Sequence, residues 1–216
     1  MPFASPRSVN RRWILAAAPA LIAPGWAKAA ARPAVVTILG DSITAGYGLH
    51  ALDALPAQLQ AALHRMGVPA VVRGAGVSGD TTAGGLARED FSVQADTSVC
   101  VVALGGNDLL QGLDPKAMRA NLQATVRRLK ARRIGVVLCG LSAPASLNRT
   151  YARDFNAVFP AVAKAEDVAL YPDLLAGVAM TAGLNQADGL PPNPRGVKII
   201  AARLAPVVAR VLRERR

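Results

Sequence analysis

Five short apolar runs rich in β-branched residues, at 35–39, 68–73, 98–104, 134–141 and 168–171, alternate with longer segments whose apolar residues recur at helical spacing. This alternation predicts an α/β fold with a parallel sheet. Neighbouring parallel strands need a long connection that carries the chain back to the same end of the sheet, and a right-handed helical crossover supplies it. The unbroken Val-rich run at 98–104 reads as a strand buried on both faces. The intervening periodicity predicts a helix at 52–66, with Leu55, Leu59 and Leu63 on one face and His64 partly exposed. A short helix is expected over 82–90. Another starts at Asp114-Pro115, with Met118, Leu122, Val126 and Leu129 inward. A fourth covers 151–165 with Phe155 and Phe159 inward. The last covers 196–213, with Ile200, Leu204, Val207, Val208 and Val211 facing the sheet and Arg203, Arg210 and Arg213 outward.

Loops that follow the strands carry the chemistry. The first run breaks at Gly40-Asp41-Ser42. Open α/β sheets assemble their sites beyond the carboxyl ends of their strands, so Ser42 is a candidate nucleophile, although Asp and Ser also suit a helix start. Gly76-Val77-Ser78-Gly79-Asp80-Thr81-Thr82 lies in a glycine-rich loop at 74–85, Gly105-Gly106-Asn107-Asp108 follows the third run, and Asp188-Gly189-Leu190 lies in a loop at 183–194. The blocks around Gly79 and Asn107 alone also read as tight turns.

In this order and spacing the four blocks resemble the signature of the SGNH (GDSL-type) hydrolase superfamily. Its periplasmic arylesterase, thioesterase and lysophospholipase branch is the nearest, and the resemblance runs from about residue 35 to about residue 209. It implies a flavodoxin-like three-layer α/β/α sandwich with a five-stranded parallel sheet, occupying 32–216. It also implies a carboxylic-ester hydrolase that takes small-molecule esters, thioesters or lysophospholipids and uses neither cofactor nor metal. By the same resemblance Ser42 is the nucleophile. The backbone amides of Ser42 and Gly79 and the side-chain amide of Asn107 form the oxyanion hole, where preorganised donors meet the charge that develops on an attacked carbonyl. Asp188 would orient a histidine three residues later.

That histidine is absent. The family block reads Asp-x-x-His-Pro-Asn, and here it is Asp188-Gly189-Leu190-Pro191-Pro192-Asn193. Pro192 and Asn193 keep the frame, so Pro191 is a substitution at the base position. Proline has no titratable group and no backbone N–H, and a serine hydroxyl without a base is a poor nucleophile. Two readings follow: an ester hydrolase weakened or rescued at this position, or a relative that binds acyl or ester ligands without efficient turnover. The chain has two histidines, His50 and His64. His50, in the loop after Ser42, is the surrogate base to consider. Asp188 acting directly would be a weak base near neutrality.

The length of 216 residues suits a single domain. Residues 1–31 read as a secretory signal with a basic start, an apolar middle at 13–23 and small residues around Ala27-Lys28-Ala29. Asn10-Arg11-Arg12-Trp13-Ile14-Leu15 resembles a twin-arginine signal; ordinary Sec export and an uncleaved anchor are the alternatives. The protein is therefore expected to be exported, periplasmic or secreted. The formal charge is +11, and without the leader 21 basic residues face 14 acidic ones. The excess gathers at 127–133 and 213–216, which read as solvated helix ends. No aromatic residues interleave these clusters, which argues against a nucleic-acid partner and leaves at most weak attraction to a membrane surface. Cys100 and Cys139 read as buried thiols or as a disulfide, and neither has metal-ligand spacing.

Overall fold

The structure, a computed structural model, describes residues 1, 3, 33–144, 146–187 and 191–215. The leader, residues 1 and 3 apart, and Asp188 lie outside the described residues. Five strands, β1 (Ala34–Gly40), β2 (Ala70–Gly76), β3 (Thr97–Ala103), β4 (Gly135–Cys139) and β5 (Ala169–Tyr171), form one parallel sheet in the order β2-β1-β3-β4-β5. Around it run α1 (Ser42–Ala45), a 3-10 turn at Ala51–Asp53, α2 (Leu55–Arg65), α3 (Thr82–Ser92), α4 (Gly106–Leu110), α5 (Pro115–Ala131), α6 (Arg149–Glu166) and α7 (Pro194–Glu214).

The sheet is buried on both faces. On one side Leu59 and Leu63 of α2 and Ile200, Leu204 and Val208 of α7 pack on Val36, Ile38, Val99 and Val101. On the other, Met118, Leu122 and Val126 of α5 and Phe155 and Phe159 of α6 pack on Leu39, Val102 and Leu138. These are the faces that the periodicity predicts. Phe155 and Phe159 meet edge to face with ring centroids 5.7 Å apart. No described helix is long and apolar enough to cross a membrane.

Several expectations need correction. The stretch from residue 74, expected to be loop, continues β2 as far as Gly76. The helix expected from residue 52 begins at Leu55, because Pro56 suits a first turn and the preceding residues close a separate 3-10 turn. Met66 is exposed. The last helix begins at Pro194, two residues earlier than expected, with the Asn193 side chain accepting from the backbone N–H groups of Arg195 and Gly196.

The cysteine question closes. Cys100 pairs in register with Val136, so Cys139 falls on the opposite pleat of the neighbouring strand. Cys100 sits in the α5–α6 layer and Cys139 in the α2–α7 layer, both as free buried thiols. The basic run is only partly a solvated face. Arg127 pairs with Glu166 at 2.9 Å. Arg128 donates to the Leu86 carbonyl at 3.2 Å, and Arg132 pairs with the buried Glu89 at 2.6 Å. These cations brace α5 against α6 and α3.

Candidate active site

The carboxyl ends of β1, β2 and β3 are tied into one unit. The Gly40 carbonyl, the last of β1, accepts from Val77 N–H at 3.1 Å. Asp41 is buried and caps α1, its carboxylate accepting from Ile43 N–H at 3.0 Å, so that Ser42 opens the helix half-buried at its mouth. The helix lies directly on β2. A Cβ on Gly76 would stand 2.2 Å from the Ala45 nitrogen, which is why β2 ends in glycine. Gly79 differs: a Cβ there would meet open space, but its φ of +84° is a conformation that side-chain-bearing residues avoid. Gly79 is thus required by backbone shape, not by room.

Two side chains join the second loop to the third. Asn107, in α4, donates through Nδ2 to the Asp80 carbonyl at 2.9 Å, next to Gly79. An amide has a second N–H to offer. The buried Asp108 carboxylate accepts from Thr82 N–H at 2.8 Å and from Thr82 Oγ1 at 2.6 Å. The Gly105-Gly106-Asn107-Asp108 block, which alone also allowed a tight turn, opens a short helix that carries Asn107 towards the loop after β2.

The loop before α7 docks beside α1. Asn185 bridges to Pro192, and Gln186 N–H donates to the Pro191 carbonyl at 2.9 Å. Gln186 Nε2 donates to the Tyr47 carbonyl at 2.8 Å. These contacts place Pro191 and Pro192 in one tight cleft with Ser42, Ile43, Gly46, Tyr47, Leu49 and Val197. Residue 191 thus faces the same space as the candidate nucleophile. No imidazole or carboxylate is among the described lining residues. His50 is exposed and does not line the cleft. The His64 ring lies 2.9 Å from the carbonyl of Ala70, the first residue of β2, about 20 Å of strand from the site end at ~3.3 Å per residue. Among the described residues no group of His, Cys, Asp or Glu side chains could hold a metal ion.

Burial pushes the Asp41 carboxyl up to about 6; Asp80 and Asp108 add to this, and the Ile43 N–H opposes it. The folded protein then holds this proton more tightly than the unfolded chain, whose value is 3.8. Stability contributed by protonated Asp41 is present below pH 3.8 and lost as pH rises to about 6. Asp41→Asn keeps a capping side chain without the titration. Urea unfolding at pH 4 and pH 7 should therefore show a smaller fall in stability for the variant than for the native chain, by about 2–3 kcal/mol. Parallel pH profiles would refute the assignment.

Arg88, on α3, escaped sequence reasoning. It donates to the Asp80 carboxylate at 2.7 Å and to the carbonyls of Ala75 at 2.9 Å and Gly40 at 2.8 Å. The available signal was an arginine one helix turn beyond a glycine-rich block that contains an aspartate.

Comparison with known proteins identifies the family. The model of the GDSL-like Lipase/Acylhydrolase family matches residues 38–199. The chain is 36% identical over 176 residues to the esterase TesA of Pseudomonas aeruginosa, covering 79% of this chain and 88% of that protein. It is 34% identical over 177 residues to thioesterase 1/protease 1/lysophospholipase L1 of Escherichia coli, covering 82% and 84% respectively. The crystal structure of AlinE4, an SGNH-hydrolase family esterase, superposes with a TM-score of 0.70 at 40% identity, covering 82% of this chain and 96% of that one. By sequence and by fold alike, the chain belongs to the GDSL-like lipase/acylhydrolase family.

Proposed function

We propose that this protein is an exported carboxylic-ester hydrolase of the arylesterase, thioesterase and lysophospholipase kind, with Ser42 as its nucleophile and its general base lost to Pro191. Ser42 Oγ attacks the carbonyl carbon of a small ester, thioester or lysophospholipid. The carbonyl oxygen becomes the oxyanion, met by the backbone amides of Ser42 and Gly79 and by the Asn107 side chain. Collapse expels the leaving oxygen or sulfur, which takes up the serine proton by way of solvent water to become the alcohol or thiol, and leaves an acyl-serine that water hydrolyses to the free acid and Ser42. The proton on Ser42 has no imidazole to receive it, so both steps are slow. Asp188, which would orient such an imidazole, has nothing to orient. Export is supported by the basic start, apolar middle and small residues of 1–31.

One observation carries the reading: Pro191 and Ser42 line the same cleft, and among the described residues no imidazole or carboxylate lines it with them. Hydrolysis of a short-chain aryl ester by the native chain and by Ser42→Ala tests it. The expected result is slow turnover above the buffer rate that Ser42→Ala reduces only several-fold, since the parts of a triad act as a unit and removing one leaves mainly the oxyanion hole. Turnover at ordinary esterase rates, about 10 per second, that Ser42→Ala abolishes would overturn the loss of the base and direct attention to His50.

A further inference from the structure

We propose that Arg88 is a positioning residue: one guanidinium that fixes the nucleophile turn and the oxyanion loop relative to each other. The inference rests on the reading above, in which Ser42, Gly79 and Asn107 share the work. The Arg88 and Asp80 side chains are 19% and 14% exposed, so the pair is largely shielded from water. Arg88 Nη2 reaches the Gly40 carbonyl at 2.8 Å, two residues before Ser42. Its Nη1 reaches the Ala75 carbonyl at 2.9 Å and Ser92 Oγ at 3.1 Å. Its Nε reaches the Asp80 carboxylate at 2.7 Å, one residue after Gly79. Asp80 in turn accepts from Asn107 Nδ2 through its backbone carbonyl. A single planar fork therefore connects the end of β1, the end of β2, the Gly79 turn and, through Asp80, the side-chain amide of α4.

The chemistry makes this arrangement consequential. Gly79 has no side chain to anchor it; its turn is closed by the Asp80 N–H, which donates to the Val77 carbonyl at 3.1 Å, and the Asp80 side chain is held by Arg88. A displacement of about 1 Å in such a donor can cost on the order of 100-fold in rate. Lysine cannot replace the fork. Its ammonium is a compact point charge that would keep the attraction to Asp80 and give up the simultaneous carbonyl bonds.

Arg88→Lys, made both in the native chain and in the Pro191→His background, tests the proposal. In Pro191→His the expected effect is a 10- to 100-fold fall in kcat with KM changed less than about threefold. In the native chain the 15N resonances of the Gly79 amide and the Asn107 side-chain amide should shift and their order parameters fall. The core amides of Val101 and Leu138 should stay in place. A merely structural brace would lower the melting temperature without moving kcat or these two sites at 25 °C. Unchanged Gly79 and Asn107 signals would overturn the proposal, as would unchanged kcat. If Pro191→His itself is inactive, the proposed function fails, and the resonances of the native chain still decide the role of Arg88.

Discussion

Replacing Pro191 with histidine raises hydrolysis of a short-chain aryl ester by on the order of 10⁴- to 10⁶-fold, the penalty that loss of a triad base or nucleophile carries elsewhere. The site favours this outcome. Residue 191 already faces the cleft that Ser42 opens onto. Its backbone is held by Gln186 N–H to the Pro191 carbonyl and by the Asn185–Pro192 bridge. Proline forms no hydrogen bond through its nitrogen, so the substitution breaks none, and histidine readily adopts a proline-like φ. Asn193, which caps α7, fixes the far side of the same loop. The imidazole would enter a wall made of Ile43, Leu49, Pro192 and Val197, an apolar setting that limits competing water. The gain should appear in kcat more than in KM, because the missing group acts on the reacting proton and not on the bound acyl chain.

Arg132→Met lowers stability by about 3 kcal/mol at neutral pH, and melting by roughly 6–12 °C. The cause is Glu89, fully buried between α3 and α5. Its Oε1 is 2.6 Å from Arg132 Nη1, and its Oε2 has no partner in the structure. Burial and the neighbouring Asp90 raise the Glu89 carboxyl above its ordinary value, and Arg132 opposes them. Removing the arginine also frees the Val93 carbonyl. Glu89 would then protonate over a wider range. The folded form would bind that proton more tightly than the unfolded chain, so the deficit grows as pH rises and shrinks towards pH 5. Arg132→Met combined with Glu89→Gln should recover most of the loss, because the penalty lies in leaving one charge buried alone. Thermal melts at pH 5 and pH 8 read both effects; an equal deficit at the two pH values would show that Glu89 is not the source.

Much of this was legible in the sequence, for reasons that differ from element to element. β3 was clear because a strand buried on both faces must be apolar throughout, and α7 because a long helix on a sheet repeats its apolar face many times. The end of β2 was hidden. Gly74 and Gly76 have the composition of a loop, yet Gly76 is glycine because α1 lies on it. Such a close approach belongs to tertiary structure and leaves no local periodicity. α4 was missed for a related reason: five residues carry too few positions to show a helical repeat. The cysteines could not be settled before the register was known, since one residue of offset decides which face each thiol enters. At the site, the blocks that include Ser42, Gly79 and Asn107 announced themselves. The carboxylate and the guanidinium that hold them, Asp108 and Arg88, did not, because their partners lie 26 and up to 48 residues away in sequence.

The most direct test of the account compares Pro191→His with Pro191→His/Ser42→Ala in the same aryl-ester assay, with folding of both checked by circular dichroism. The account predicts that the histidine creates the activity and that Ser42→Ala removes all of the gain. A gain that survives Ser42→Ala, or a folded Pro191→His protein no faster than the native chain, would contradict it.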